Sequence, residues 1–454
     1  MYIQAVAELA DLGVVEAAEL LRRREASSRE LVEACLARIA ERDGEHSFDG
    51  DPGSVNAWVR IYEEDARAAA GAADERLAAG DAGPLCGIPI GLKDLYAVAD
   101  KPLTASSRLL DEVPARSCEA WQRLEHAGMV LLGHVHTHEF AAGGTTDQVG
   151  NPWNLERSAG GSSGGSAAAL ASRTTPATTG TDTAGSLRIP SASCGTATIK
   201  PTRGLVSIRG IVPLGPTFDH TGPMARNVID CEPLLQALVD GRPTRERRPL
   251  RRVALSPRIG ELDPDVAENL DRAVELVPLV EIPPPDVELD LGLTFLDTCL
   301  AGMLAYHRRF DGRRELYRPS IRGFVEYAER RAMTAEEYAA VQLRREEDTA
   351  RWLDWFAEHR IDALIEPTVP IVSPPRGHGY DEPFTDVAEI SLTHYWDWTG
   401  FPAVALPSGV GRRSGMPTSV SLIGPTGSDW NLLAAGALLQ AELGTYDLRI
   451  DEQA

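Results

Sequence analysis

Apolar positions along the chain recur with two spacings. One is helical: Ser27-x-x-Glu30 is a capping box that satisfies orphan N–H groups at a helix start, and Leu31, Cys35 and Ile39 then share one face. Residues 14–24, 265–277 and 431–443 carry comparable helical patterns. The other spacing is short. Apolar bursts at 129–132, 253–255, 363–365 and 404–406 have the length and composition of buried strands. Strands alternating with helices predict an α/β fold. The stretch 291–358 is mostly helical in pattern, with aromatic and arginine-rich faces. No internal repeat, low-complexity linker or 18-residue apolar run occurs, so neither a solenoid, a tethered array nor a membrane-spanning helix is expected.

Composition narrows the function classes. At 454 residues and 43% hydrophobic the chain can bury a generous core, although length alone does not settle the domain count. A net charge of −22 repels polyanions, which argues against a nucleic-acid partner and favours neutral substrates such as amides or esters. The basic cluster from Arg242 to Arg252 is broken by Pro243, Glu246 and Pro249 and reads as a solvated linker. Six cysteines stand singly, with no C-x-x-C, so they are expected to be small buried hydrophobes. The N-terminus lacks a basic region followed by an apolar one, and a cytoplasmic location is expected.

The candidate chemistry lies between Ser158 and Lys200. Gly160-Gly161-Ser162-Ser163-Gly164-Gly165-Ser166 and Gly180-Thr181-Asp182-Thr183-Ala184-Gly185-Ser186-Leu187-Arg188-Ile189-Pro190 hold too much glycine and serine for ordinary core elements. Ser162 and Ser186 are flanked by small residues that let backbone amides approach a ligand, which suits acyl transfer: a hydroxyl attacks and N–H groups stabilise the oxyanion. Upstream, Gly87-Ile88-Pro89-Ile90-Gly91-Leu92-Lys93-Asp94 places one lysine just after an apolar run, where it can serve as the base.

These three blocks, in this order and spacing, resemble the amidase signature family. Weaker matches continue through Cys194-Gly195, residues 199–204 and 219–223, Pro402-Ala403 and residues 422–425. The resemblance implies one domain over 1–454, built on a single large mixed β-sheet flanked by helices. It is thinnest between about residues 241 and 362, so the helical stretch at about 291–358 is expected to be a variable region covering the cleft. It also implies an amidase that hydrolyses a C–N amide bond of a small, neutral, partly apolar substrate. No cofactor and no metal are required by that chemistry.

Residue by residue, the family's nucleophile falls on Ser186, its proton-relay serine, which follows a non-proline cis peptide, on Ser162, and its base on Lys93. The turn at Ser186 can aim the amides of Thr183, Ala184, Gly185 and Ser186 at one spot as an oxyanion hole. Ala184 sits where the family commonly has glycine, which matters only if that residue needs positive φ. An ordinary lysine is almost wholly charged at neutral pH, so Lys93 must be depressed by burial beside the serines. Ser163 and Thr181 are candidates to hydrogen-bond the relay, and Asp182 and Arg188 to pair across the loop. Asp94 is given a structural role.

Other readings compete. Gly161-Ser162-Ser163-Gly164-Gly165 contains G-x-S-x-G with Ser163 as nucleophile, but the segment before it is polar and turn-like rather than a strand. His134, His136 and His138 alternate on one strand face and could bind a metal, or be ordinary strand-end histidines. The chain could instead be the glutaminase subunit of a tRNA-dependent amidotransferase, although that subunit has an asparagine near Asp397, or a carbamate- or urea-type hydrolase of the same family. The expected partner is a small-molecule amide, with no nucleic acid and no membrane; a homodimer is compatible with the sequence. Tyr395, Trp396, Trp398, Phe401, Tyr306, Phe310 and Tyr317 suggest an apolar or aryl substrate group, and core packing explains them equally well.

Overall fold

The capping box at Ser27 forms as the sequence predicts: its side chain accepts from the Glu30 amide, Glu30 caps back onto Ser27, and the helix Ser28–Arg42 buries Leu31, Cys35 and Ile39. In the computed structural model, which describes residues 9–239, 249–377, 379–385 and 387–450, this helix packs against Glu63–Ala79 beside one end of a large sheet. Most of the basic cluster after Arg242 lies outside the described residues.

The strands are β1 (Trp58–Ile61), β2 (Pro89–Lys93), β3 (Val130–Val135), β4 (Gly150–Asn151), β5 (Asn154–Ser158), β6 (Ala177–Asp182), β7 (Ala197–Lys200), β8 (His220–Ala225), β9 (Val253–Leu255), β10 (Leu279–Val280), β11 (Ala363–Pro367), β12 (Ala403–Val410) and β13 (Pro417–Ile423). Eleven of them form one sheet in the order β1-β3-β2-β6-β8-β7-β12-β13-β11-β9-β10, while β4 and β5 pair separately. The sheet is mixed: β2 runs parallel to β3 and β6, and β9 parallel to β10 and β11, whereas β6, β7, β8, β12 and β13 pair antiparallel where they adjoin. The α/β alternation and the mixed sheet flanked by helices are therefore both present.

Each predicted apolar burst lies on a strand, with shifted edges. The burst at 129–132 becomes β3, which runs on to Val135, and the bursts at 363–365 and 404–406 are the centres of β11 and β12. The helix expected over 265–277 is Pro264–Val274, capped by Asp263 accepting from the Asp265 amide. The helix Asp429–Leu443 starts two residues before its predicted edge and ends at Gly444 in the left-handed region. Between β10 and β11 run the helices Thr294–His307, Pro319–Arg331 and Ala335–His359.

Parallel pairing of β2 with β6 decides where the chemistry sits. Both strands end at the same edge of the sheet, so Lys93 at the end of β2 and Thr181 and Asp182 at the end of β6 meet there. Carboxyl-terminal strand edges are where α/β sheets place ligands.

Candidate active site

Lys93 is fully buried, and its Nζ lies within hydrogen-bond distance of three hydroxyls: Ser162 Oγ at 2.7 Å, Ser163 Oγ at 2.8 Å and Thr181 Oγ1 at 2.8 Å. Among the described residues it forms no ion pair. Burial pushes its pKa well below the ordinary lysine value, and the more distant carboxylates of Asp182 and Asp219 oppose this only in part. Such a lysine can be a neutral base. Asp94, next in sequence, faces elsewhere and accepts from the amides of Thr104 and Ser106, at 3.2 and 2.9 Å.

Ser162 lies in the loop before the helix Gly164–Ala171, and the Gly161–Ser162 peptide is cis. Gly161 is required by packing, because a Cβ there would lie 2.1 Å from the Thr145 carbonyl oxygen. The Ser163 amide donates to the Ser186 carbonyl at 3.3 Å, which ties this loop to the turn carrying Ser186.

That turn is braced from one side by Asp182. Its Oδ1 accepts from the Gly185 amide at 2.6 Å and its Oδ2 from the Leu187 amide at 3.2 Å, so one carboxylate grips the chain on both sides of Ser186. Gly185 has φ +133°, and a Cβ there would lie 2.2 Å from Thr393 Oγ1. Ala184 is not in the left-handed region, so alanine is accommodated there. Of the four amides expected to form an oxyanion hole, Gly185 is therefore engaged by Asp182. Among the described residues those of Thr183, Ala184 and Ser186 have no protein acceptor.

Asp182 is held in turn by Arg188, through Nε at 2.9 Å and Nη2 at 3.0 Å. Arg188 also donates to Asp397 Oδ2 at 2.6 Å and to the Thr393 carbonyl at 3.0 Å, and all three charged groups are completely buried. Asp397 Oδ1 lies 3.3 Å from His220 Nδ1, and Lys200 Nζ lies 3.3 Å from His220 Nε2. Burial lowers Lys200 to about 8, with Asp397 opposing, and holds His220 well below the usual histidine range. Sequence reasoning paired Asp182 with Arg188 but missed Asp397, Thr393, His220 and Lys200. Asp397 lies 209 residues from Arg188, and no local spacing could have joined them.

Ser186 opens into a cavity of about 610 Å³ whose walls are largely apolar, including Leu214, Phe295, Leu296, Cys299, Phe324 and Phe384. Four of these belong to the helical region expected to cover the cleft, which forms one wall. The aromatic residues singled out from the sequence are elsewhere: Tyr395, Trp396, Trp398 and Phe401 are core residues with 0% exposure, and Tyr306, Phe310 and Tyr317 cluster around Phe140. The pocket's aromatic lining comes from Phe295, Phe324 and Phe384 instead.

The histidine series is also rearranged, since β3 ends at Val135 and only His134 lies on a strand. His134 is engaged by the Tyr62 hydroxyl at 2.8 Å and the Tyr96 carbonyl at 3.0 Å, His136 by Ser106 Oγ at 3.1 Å, and His138 by the Thr145 carbonyl at 2.8 Å. No group of three His, Cys, Asp or Glu is placed to hold a metal among the described residues.

The family model for amidases matches residues 30–433. The chain belongs to the amidase signature family. A glutamyl-tRNA(Gln) amidotransferase subunit from Roseiflexus sp. (strain RS-1) is 35% identical, covering 95% of this chain and 96% of its own. Among solved structures, an amidase superposes with a TM-score of 0.84 at 30% identity, over 95% of this chain and all of its own. The structure of 6-aminohexanoate cyclic dimer hydrolase gives 0.82 at 27% identity, over 97% and 98%. As an amidase-family enzyme the chain has hydrolysis of a C–N amide bond as its reaction class. No helix among the described residues is long and apolar enough to cross a membrane.

Proposed function

We propose that the chain is a stand-alone amidase that cleaves an uncharged, substantially apolar amide through an acyl-enzyme on Ser186. Ser186 Oγ attacks the amide carbon, and its proton passes through Ser162 to neutral Lys93. The amides of Thr183, Ala184 and Ser186 receive the developing oxyanion. The Lys93 ammonium returns the proton through Ser162 to the leaving nitrogen, and water then opens the ester to release the carboxylate. The observation that carries this reading is the buried lysine whose Nζ contacts three hydroxyls and, among the described residues, no carboxylate, two of those hydroxyls lying on the loop that the Ser163 amide ties to the turn carrying Ser186. The Ser186 hydroxyl has no hydrogen bond among the described residues, so the Ser186–Ser162 hydrogen bond that the relay needs would have to form with substrate in place.

A second reading, the glutaminase subunit of an amidotransferase, is favoured by the 35% identity of the Roseiflexus protein. The apolar cavity favours the first. Hydrolysis rates for acetamide, benzamide, an anilide, a carbamate and glutamine separate them. The stand-alone reading requires efficient turnover of an apolar amide by the chain alone. Turnover of glutamine only, with the others inert, selects the amidotransferase reading.

A further inference from the structure

His394 lines the same cavity as Ser186 and is not used by the chemistry above. It opens the short helix His394–Thr399, directly after Thr393, whose hydroxyl donates to the Ala184 carbonyl. Its Nδ1 lies 2.7 Å from the Ile390 carbonyl oxygen. A carbonyl can only accept, so Nδ1 carries the ring proton and Nε2 presents a lone pair. Burial and the nearby Arg258 push the ring down to about 4, which keeps it neutral at ordinary pH. Nε2 has no hydrogen-bond partner among the described residues, while the ring is fixed edge-on against Phe295 at 5.3 Å between centroids.

Apart from Ser186, the other polar side chains of the cavity have partners in place. Arg258 donates through both terminal nitrogens to the carbonyls of Leu289 and Ser391 and stacks over Tyr395 at 4.6 Å, leaving only its Nε–H, a donor and not an acceptor, without a partner among the described residues. Asp290 is exposed at the rim and accepts from the Gly292 amide at 2.9 Å, and Ser391 donates to the Ala388 carbonyl at 2.8 Å. His394 Nε2 is thus a rigid acceptor in a mainly apolar chamber.

We propose that His394 is a specificity-determining residue: its Nε2 accepts a hydrogen bond from an O–H or N–H carried by the otherwise apolar part of the amide substrate. The inference rests on the amidase reading of the Ser186 site. It assigns the substrate class as an apolar amide bearing one distal donor, because a substrate without that donor would leave a desolvated lone pair unpaired.

Straight-chain amides of four to eight carbons, ending in hydroxyl or in methoxy, test this, since methoxy keeps the acceptor and removes the donor. At the best chain length the wild-type enzyme should favour the hydroxyl amide in kcat/KM by roughly 10- to 100-fold. The ratio should collapse toward one in His394→Phe and survive in part in His394→Gln, which retains an acceptor. If either variant turns over too slowly, the ratio of dissociation constants for the two amides, measured in a Ser186→Ala background, replaces it. An unchanged ratio in His394→Phe, or no preference in the wild type at any length, overturns the role of His394. Failure of the wild type to hydrolyse any of these amides, or wild-type rates in Ser186→Ala, would strike the amidase reading instead.

Discussion

Replacing Lys93 with methionine should inactivate the enzyme and stabilise it at neutral pH. A lysine neutral in the native state but ordinary when unfolded costs roughly 4–5 kcal/mol of stability at pH 7, the work of removing its proton from a group with pKa near 10.4. Methionine matches the length of the stem and removes this cost. Against it stand three hydrogen bonds at Nζ, with Ser162, Ser163 and Thr181, two donated and one accepted by the neutral amine. At about 1 kcal/mol each, their loss offsets roughly 3 kcal/mol. The variant should therefore be more stable than wild type by about 1–2 kcal/mol at pH 7. The pH dependence is the sharper signature. Lys93 is lowered on folding, so between its native value and 10.4 the unfolded chain binds the extra proton, and wild-type stability rises with pH. The difference should shrink by about 1.4 kcal/mol per pH unit and change sign near pH 8. Urea midpoints of both proteins from pH 6.5 to 9.5 measure this, since the other titrating groups cancel in the comparison. A Met variant about 3 kcal/mol less stable at every pH would mean that Lys93 is charged in the native protein and cannot be the base.

Gly185→Ala should abolish turnover while retaining most of the fold, because φ +133° and the 2.2 Å approach to Thr393 Oγ1 leave no room for a methyl group beside Ser186; activity within tenfold of wild type would show that the turn geometry is not needed. Asp397→Asn keeps the shape but leaves Arg188 with Asp182 as its only carboxylate partner among the described residues, so kcat should fall more than KM changes and the urea midpoint should drop, removal of one partner from a buried network costing about 3–5 kcal/mol. Unaltered kcat in that variant would limit the network to a structural role.

Much of the frame was legible because it is built from local signals. The capping box at Ser27 and the apolar bursts that became β3, β9, β11 and β12 need only neighbouring residues to be recognised. β6 was not legible as a strand, since Ala-Thr-Thr-Gly-Thr-Asp reads as polar although all six residues are buried. Its threonines are satisfied by partners distant in sequence: Thr178 donates to the Ser166 carbonyl at 3.3 Å, and Thr181 accepts from Lys93. The positions of Lys93, Ser162 and Ser186 were readable from their glycine-rich surroundings. The brace behind them was not, because Arg188 meets Asp397 only through the fold. The aromatic residues misled for a related reason. Trp396 and Trp398 find buried carboxylates for their indole N–H groups, Glu366 and Asp348, and so serve the core rather than the pocket.

The central claim is the covalent intermediate on Ser186. Enzyme mixed with 4-nitrophenyl hexanoate and quenched in acid within the first turnovers should gain one hexanoyl mass, and peptide mapping should place it on Ser186, with no adduct in Ser186→Ala. A hexanoyl group on Ser162 or Ser163 instead, or amide turnover undiminished in Ser186→Ala, would contradict the account.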